Sequence, residues 1–181
     1  MLRQVSFIFL LIIFCCYSGV ESKLGLKHVT DEVEVNVAAS RVWKLYRHLG
    51  NSFLAAERLK NVIQSVQVSK GDGGVGTILK LTSVPGNSSY TEKFIVINDE
   101  KRVKVAKGLE GGRLAIGCSV QIVRLEIIEK SSGSCIIRSD IDYAVKEEFE
   151  GDDPKPNIQV IAAAVRVAKR FLENPGTAMS A

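Results

Sequence analysis

Ser65-Val66-Gln67-Val68-Ser69-Lys70-Gly71-Asp72-Gly73-Gly74-Val75-Gly76-Thr77-Ile78-Leu79-Lys80-Leu81 decides the fold. Apolar and polar residues alternate before the glycines and again after them, the period of a strand with one buried face. Four glycines between two such runs supply positive-φ positions for a hairpin. A phosphate-binding loop is the competing reading. It needs a Lys ahead of its Ser or Thr and a helix N-terminus behind it. Here Gly76 runs directly into Thr77, and the next segment is a strand.

Working outward, residues 90–97, 103–109, 114–129 and 134–145 read as further strands, and residues 62–68 and 77–84 flank the loop. Turn chemistry separates them at Pro85-Gly86-Asn87, Asn98-Asp99, Glu110-Gly111-Gly112 and Ser131-Ser132-Gly133. Towards the N-terminus, residues 28–37 alternate as a first strand. Ser40 then offers a helix cap, with Val42, Trp43, Tyr46 and Leu49 at helical spacing. A second short helix over 52–59 turns Phe53, Leu54 and Ala55 inward. Towards the C-terminus, Pro154 and Pro156 precede a helix over 157–173 that ends before Pro175-Gly176. Its apolar face is Ile158, Ile161, Val165, Ala168 and Leu172, flanked by Ala162, Ala163 and Ala164. Small residues on a covering helix serve either a hollow interior or a close helix–sheet contact.

Strand, two short helices, six strands and a long helix make one α+β domain with an antiparallel sheet under the last helix. Residues 1–22 read as a signal peptide: Arg3 opens it, Phe7 to Cys16 is apolar, and Val20 and Ser22 give the small-residue spacing for cleavage. The apolar run falls short of the ~20 residues a membrane span needs. The domain is then residues 23–181, bound for the endoplasmic reticulum, the vacuole or secretion, with Asn87-Ser88-Ser89 as a glycosylation sequon. The formal charge of +4 is scattered, without the basic stripe that nucleic acid requires. Cys118 and Cys135 fall far out of register about the Ser131–Ser134 turn, so both read as buried free thiols. His28 and His48 stand alone, and no ligand spacing suggests a metal or other cofactor.

The order of elements and the loop Gly71-Asp72-Gly73-Gly74-Val75-Gly76-Thr77 resemble the birch-pollen-allergen family (Bet v I, pathogenesis-related class ten). The resemblance runs from about residue 27 to 172, and Glu110-Gly111-Gly112 and residues 134–145 carry it too. It implies a helix-grip fold: a seven-stranded antiparallel sheet gripping the last helix around a large cavity for hydrophobic plant metabolites or hormones. Within the family the chain looks most like the norcoclaurine synthases, which join dopamine to 4-hydroxyphenylacetaldehyde by a Pictet–Spengler condensation. The signal peptide, Tyr90-Thr91-Glu92-Lys93-Phe94 and Lys101-Arg102-Val103-Lys104 carry that likeness. It implies catalytic roles for Tyr90, Glu92 and Lys104: Lys104 on the carbonyl oxygen, Glu92 on the ring proton, Tyr90 orienting substrate. One position departs. Where the synthases hold an Asp, this chain has Val123.

Strand alternation puts Tyr90, Glu92, Phe94 and Val96 on one face. A three-residue loop over 99–101 sets Lys104 opposite Val96 and inward. A two-residue turn at Asp99-Glu100 sets it opposite Ile95 and outward. Glu and Lys on adjacent strands also commonly form a solvated cross-strand pair.

Overall fold

The computed structural model describes residues 25–84, 88–149 and 151–174. The signal peptide, the Asn87 sequon and the Pro175-Gly176 stop lie outside them. The elements run β1 (Lys27–Val35), α1 (Ala39–Tyr46), α2 (Gly50–Arg58), β2 (Ile63–Lys70), β3 (Ile78–Ser83), β4 (Ser89–Asn98), β5 (Val103–Gly111), β6 (Cys118–Ser131), β7 (Ser134–Val145) and α3 (Ile158–Glu173). The seven strands form one sheet in the order β1-β7-β6-β5-β4-β3-β2, antiparallel throughout. Sequential hairpins account for β2 to β7, and β1 returns to close the far edge against β7.

The glycine loop is a hairpin. Gly71, Gly73 and Gly76 all have positive φ. The Gly73 amide donates to Thr77 Oγ1 at 2.9 Å, and Thr77 is fully buried beneath the turn. A Cβ at Gly71 would lie 2.5 Å from that same hydroxyl oxygen, so the loop needs glycine there twice over.

The principal core lies between the sheet and the helices. Val35, Ile127, Cys135 and Ile137 meet Val42, Trp43 and Tyr46 of α1 and Val165, Ala168 and Leu172 of α3. Burying this apolar stripe is what holds α3, since burial of one such side chain stabilises by about 1.5–3 kcal/mol. Ala168 is fully buried within that cluster, so at this point the small residue serves close contact rather than a void. Asn157 caps α3, its side-chain oxygen accepting from the Gln159 amide at 3.0 Å.

Several expectations are corrected. α1 starts from Ala38 without a side-chain cap, so Ser40 lies inside the helix. Phe53 is 45% exposed, and Leu54 and Ala55 carry the inward face of α2. Residues 112–116 form a short 3-10 helix ahead of β6 rather than its beginning. Cys118 pairs in register with Val145, and Cys135 with Val35 and Glu129; both thiols are free and buried, as expected. His28 is not isolated: its Nδ1 lies 2.7 Å from Asp142 Oδ1 and its Nε2 3.4 Å from Asp140 Oδ1.

Candidate active site

The site begins with one extra residue. β4 pairs with β5 as Glu92↔Gly108 and Phe94↔Ala106, then as Val96↔Val105 and Ile97↔Lys104. Between Phe94 and Val96 one residue of β4, Ile95, has no partner on β5, a bulge that re-phases the strand. Beyond it Val96 turns out, 39% exposed, while Ile97 packs into both core clusters. The expectation that Val96 shares the Phe94 face is therefore corrected. Both expected hairpins are corrected as well. Asn98 pairs with Val103 across a four-residue loop, with Arg102 at φ 51° and the Lys101 amide donating to Asn98 Oδ1 at 2.8 Å. Lys104 nonetheless points inward, because the bulge puts its partner Ile97 on the inner face.

Lys104 is 6% exposed. Its ammonium sits 3.7 Å from the centroid of the Phe94 ring. It donates to the backbone carbonyl of Tyr46 at 3.2 Å and to that of His48. These carbonyls lie at the last residue of α1 and two residues beyond it, where helix carbonyls lack intrahelical partners and the dipole favours a cation. Glu92 lies on the same inner face, and the two residues line one cavity with Tyr46, Asn51, Ser52, Phe94, Ala106, Val123 and Leu125.

The two charges perturb each other. Burial pushes the Glu92 carboxyl up to about 7, opposed by the nearby Lys104 charge. Burial pushes the Lys104 ammonium down to about 8, opposed by Glu92. The solvated cross-strand pair is ruled out by geometry: Lys104 is buried and pairs across the strands with Ile97, while Glu92 pairs with Gly108. Burial, then the Glu92 charge, raises the Tyr90 phenol. Tyr90 does not line the cavity with the other two. Its ring lies over Gly108 and Gly112, where an added Cβ would meet it at 3.1 and 3.0 Å.

Of the residues singled out in the sequence, the structure brings Glu92 and Lys104 onto one cavity and leaves Tyr90 outside its lining; Tyr46, Asn51 and Ser52, which also line it, were not singled out for it. Those three come from α1 and α2, and only the approach of the helices to the sheet makes them part of the wall. The helical spacing of Tyr46 with Val42 marked it as buried but not as a wall of this cavity. The cavity is small, about 40 Å³. That holds about three waters, whereas pockets for organic ligands run to roughly 300–1,000 Å³. No α3 residue is among those that line it. The cavity that holds Glu92 and Lys104 lies between α1, α2 and β4–β6. Among the described residues no three His, Cys, Asp or Glu side chains converge as metal ligands would, and no helix is long and apolar enough to cross a membrane.

A seven-stranded antiparallel sheet packed against a long C-terminal helix, with a half-buried acid and a buried lysine in an internal cavity, defines a helix-grip α+β protein. The family model for the pathogenesis-related protein Bet v 1 family matches residues 25–172, and the chain belongs to that family. It is 43% identical over 123 residues to norbelladine synthase of Narcissus pseudonarcissus, covering 66% of this chain and 76% of that one. It is 40% identical over 134 residues to S-norcoclaurine synthase 2 of Papaver somniferum, covering 72% of this chain and 58% of the relative. The chain thus matches under two thirds of the length of that second relative. Among solved structures it is similar to Thalictrum flavum norcoclaurine synthase in complex with dopamine and hydroxybenzaldehyde. That likeness has a TM-score of 0.73 and 30% identity, covering 82% of this chain and 87% of that one.

Proposed function

We propose that the chain is an amine–aldehyde condensing enzyme of the Pictet–Spengler type, joining dopamine to 4-hydroxyphenylacetaldehyde to give (S)-norcoclaurine. One observation carries the reading: a half-buried carboxyl, Glu92, and a buried ammonium, Lys104, face one cavity, where burial pushes the first up to about 7 and the second down to about 8. Such a pair supplies a base and an acid at the same pH.

The amine adds to the aldehyde to give a carbinolamine. Lys104 gives a proton to the carbinolamine hydroxyl, which leaves as water, and an iminium remains. The electron-rich ring attacks the iminium carbon, forming the carbon–carbon bond. Glu92 takes the proton from the attacked ring carbon and restores aromaticity. A proton passing from Glu92 to Lys104 returns both groups to their starting states. Tyr90 orients the reactants by hydrogen bonding. Holding two reactants in one cavity supplies several kcal/mol of the barrier reduction. Two aromatic reactants exceed the cavity's volume of about 40 Å³, so binding both requires it to widen.

A chiral product assay with the two precursors, run beside a protein-free control, tests this. An excess of one enantiomer is expected, and racemic product at the control rate would refute it. The relatives named norbelladine and norcoclaurine synthases support condensation chemistry in general.

A second reading is a non-catalytic carrier of a hydrophobic metabolite or hormone. Val123 favours it, because an aliphatic side chain lines the cavity where the family resemblance implies an acid. Saturable ligand binding with no product above the control selects it.

A further inference from the structure

We infer that the Gln121 carboxamide and the Tyr90 hydroxyl form a subsite that takes a phenolic hydroxyl of a reactant; as a statement about substrate, this rests on the condensing-enzyme reading above. Gln121 is 9% exposed, and its Oε1 is fully buried with no hydrogen-bond partner. Tyr90 Oη is likewise buried and unpartnered. Buried polar groups without partners are uncommon, and each is a cost the fold has retained.

The two groups flank Gly108 on the inner side of the sheet, next to the cavity that holds Glu92. Gln121 precedes Val123 and Leu125 at strand spacing on β6, and both of those residues line the cavity. Lys107 pairs with Ile122, so the next step along β5 and β6 brings Gly108 beside Gln121. On its other side Gly108 pairs with Glu92. Glu92, Gly108 and Gln121 therefore run across three neighbouring strands, with the outer two roughly 10 Å apart by strand spacing. The middle residue has no side chain. A Cβ there would lie 3.1 Å from Tyr90 Oη and 3.1 Å from Leu114 Cδ1. The Tyr90 hydroxyl thus stands over the slot that glycine leaves between the acid and the amide, and Leu114 of the 3-10 helix closes it.

The chemistry selects the ligand. A carboxamide oxygen only accepts, whereas a tyrosine hydroxyl both donates and accepts. A carboxylate offers Gln121 Oε1 nothing. An ammonium donates to it but cannot accept from Tyr90. A phenolic hydroxyl donates to Gln121 Oε1 and accepts from Tyr90 Oη, satisfying both.

The test uses binding, so that it does not depend on turnover. Intrinsic fluorescence titration of the full mature chain with 4-ethylphenol and with ethylbenzene should show about tenfold tighter binding of the phenol, the size of one good hydrogen bond. Gln121→Leu should abolish that preference while leaving ethylbenzene affinity unchanged. It should also melt no lower than the parent, because it removes an unsatisfied buried group. Gln121→Met, of conserved volume, serves as the second variant with the same expected outcome. Equal affinity for the two probes in the parent overturns the proposal, as does a preference that survives both variants. Loss of the phenol preference together with protein-free product rates would sustain the subsite and overturn the condensing-enzyme reading alone. With an active parent, two comparisons name the source of the hydroxyl. Dopamine against 3-hydroxyphenethylamine tests the amine; 4-hydroxyphenylacetaldehyde against phenylacetaldehyde tests the aldehyde. In one pair only, Gln121→Leu should raise KM about tenfold for the member that carries the extra hydroxyl. An equal rise for all four compounds overturns the proposal.

Discussion

Asp99 takes both prongs of Arg47, Nε on Oδ1 at 2.6 Å and the second terminal nitrogen on Oδ2 at 2.9 Å. The Trp43 indole donates to the same carboxylate at 2.9 Å. Asp99 sits in the β4–β5 loop and Arg47 directly follows α1, so this clasp ties the hairpin that carries Lys104 to the segment whose carbonyls receive its ammonium. The donors hold the Asp99 carboxyl down at about 2. An exposed ion pair contributes little to global stability, so the clasp matters through geometry. Asp99→Asn should lower kcat/KM about tenfold, an outcome comparable with other small displacements at a reacting centre. Chemical denaturation should barely shift. A full-rate Asp99→Asn enzyme would separate the clasp from the chemistry.

The rate should follow a bell between about 7 and about 8. Glu92 works as a base only when ionised, so kcat/KM rises as pH passes upward through about 7. Lys104 works as an acid only when protonated, so it falls as pH passes through about 8. Because the groups interact, the two limbs belong to the pair. Glu92→Gln should remove the rising limb and most of the activity. A profile flat from pH 6 to 9 would contradict the assignment.

Lys104 should also cost stability. Its folded value of about 8 lies below the ordinary 10.5, so the unfolded chain holds the proton more tightly. The cost is nearly full at pH 7 and fades as pH rises from 8 towards 10.5. Lys104→Met, which keeps the apolar stem over Phe94, should stabilise the fold by ~1–2 kcal/mol at pH 7 and by less at pH 10. The gain is trimmed because the Tyr46 and His48 carbonyls lose their donor. Urea unfolding at the two pH values measures the difference, and a variant less stable than the parent at pH 7 would refute the electrostatic account.

Two expectations concern residues outside the described structure. If residues 1–22 direct the chain into the secretory route, intact mass analysis of protein from a plant host should show an N-terminus at Lys23. The peptide bearing Asn87 should carry a glycan removable by an amidase. A product beginning at Met1 with unmodified Asn87 would place it outside that route.

Much of this architecture was legible because strands such as β1 alternate and most turns carry or adjoin Gly, Asn or Pro. The limits are equally physical. Ile95, Val96 and Ile97 are all good strand residues, so nothing local marks which one is left unpaired. The bulge is set by the loop after it and by the core that receives Ile97. Leu114 and Ile116 mimic strand alternation, and only Gly117, at φ 128°, hints that a turn stands before β6. Glu92 and Lys104 could be paired from sequence through the family likeness. Gln121 could not, since an amide amid apolar neighbours on a strand looks like any edge residue until its partners are counted.

Val123 offers the sharpest division between enzyme and carrier. It faces the cavity beside Ala106 on β5 and Ile141 on β7, its register partners. An acid there would add a base within reach of a bound amine, the role that the family resemblance implies for an Asp. It would also bury a charge among apolar walls, at a cost of about 2–4 kcal/mol in stability when only partly compensated by Lys104. Val123→Asp should therefore melt lower than the parent while turning over amine and aldehyde several-fold faster. An acid cannot create turnover where Glu92 and Lys104 supply none. The same substitution in a carrier would lower the melting temperature, weaken binding of apolar ligands and leave product formation at the protein-free rate. Melting curves and chiral product assays on one variant distinguish the two, because only the catalytic reading predicts that rate rises as stability falls.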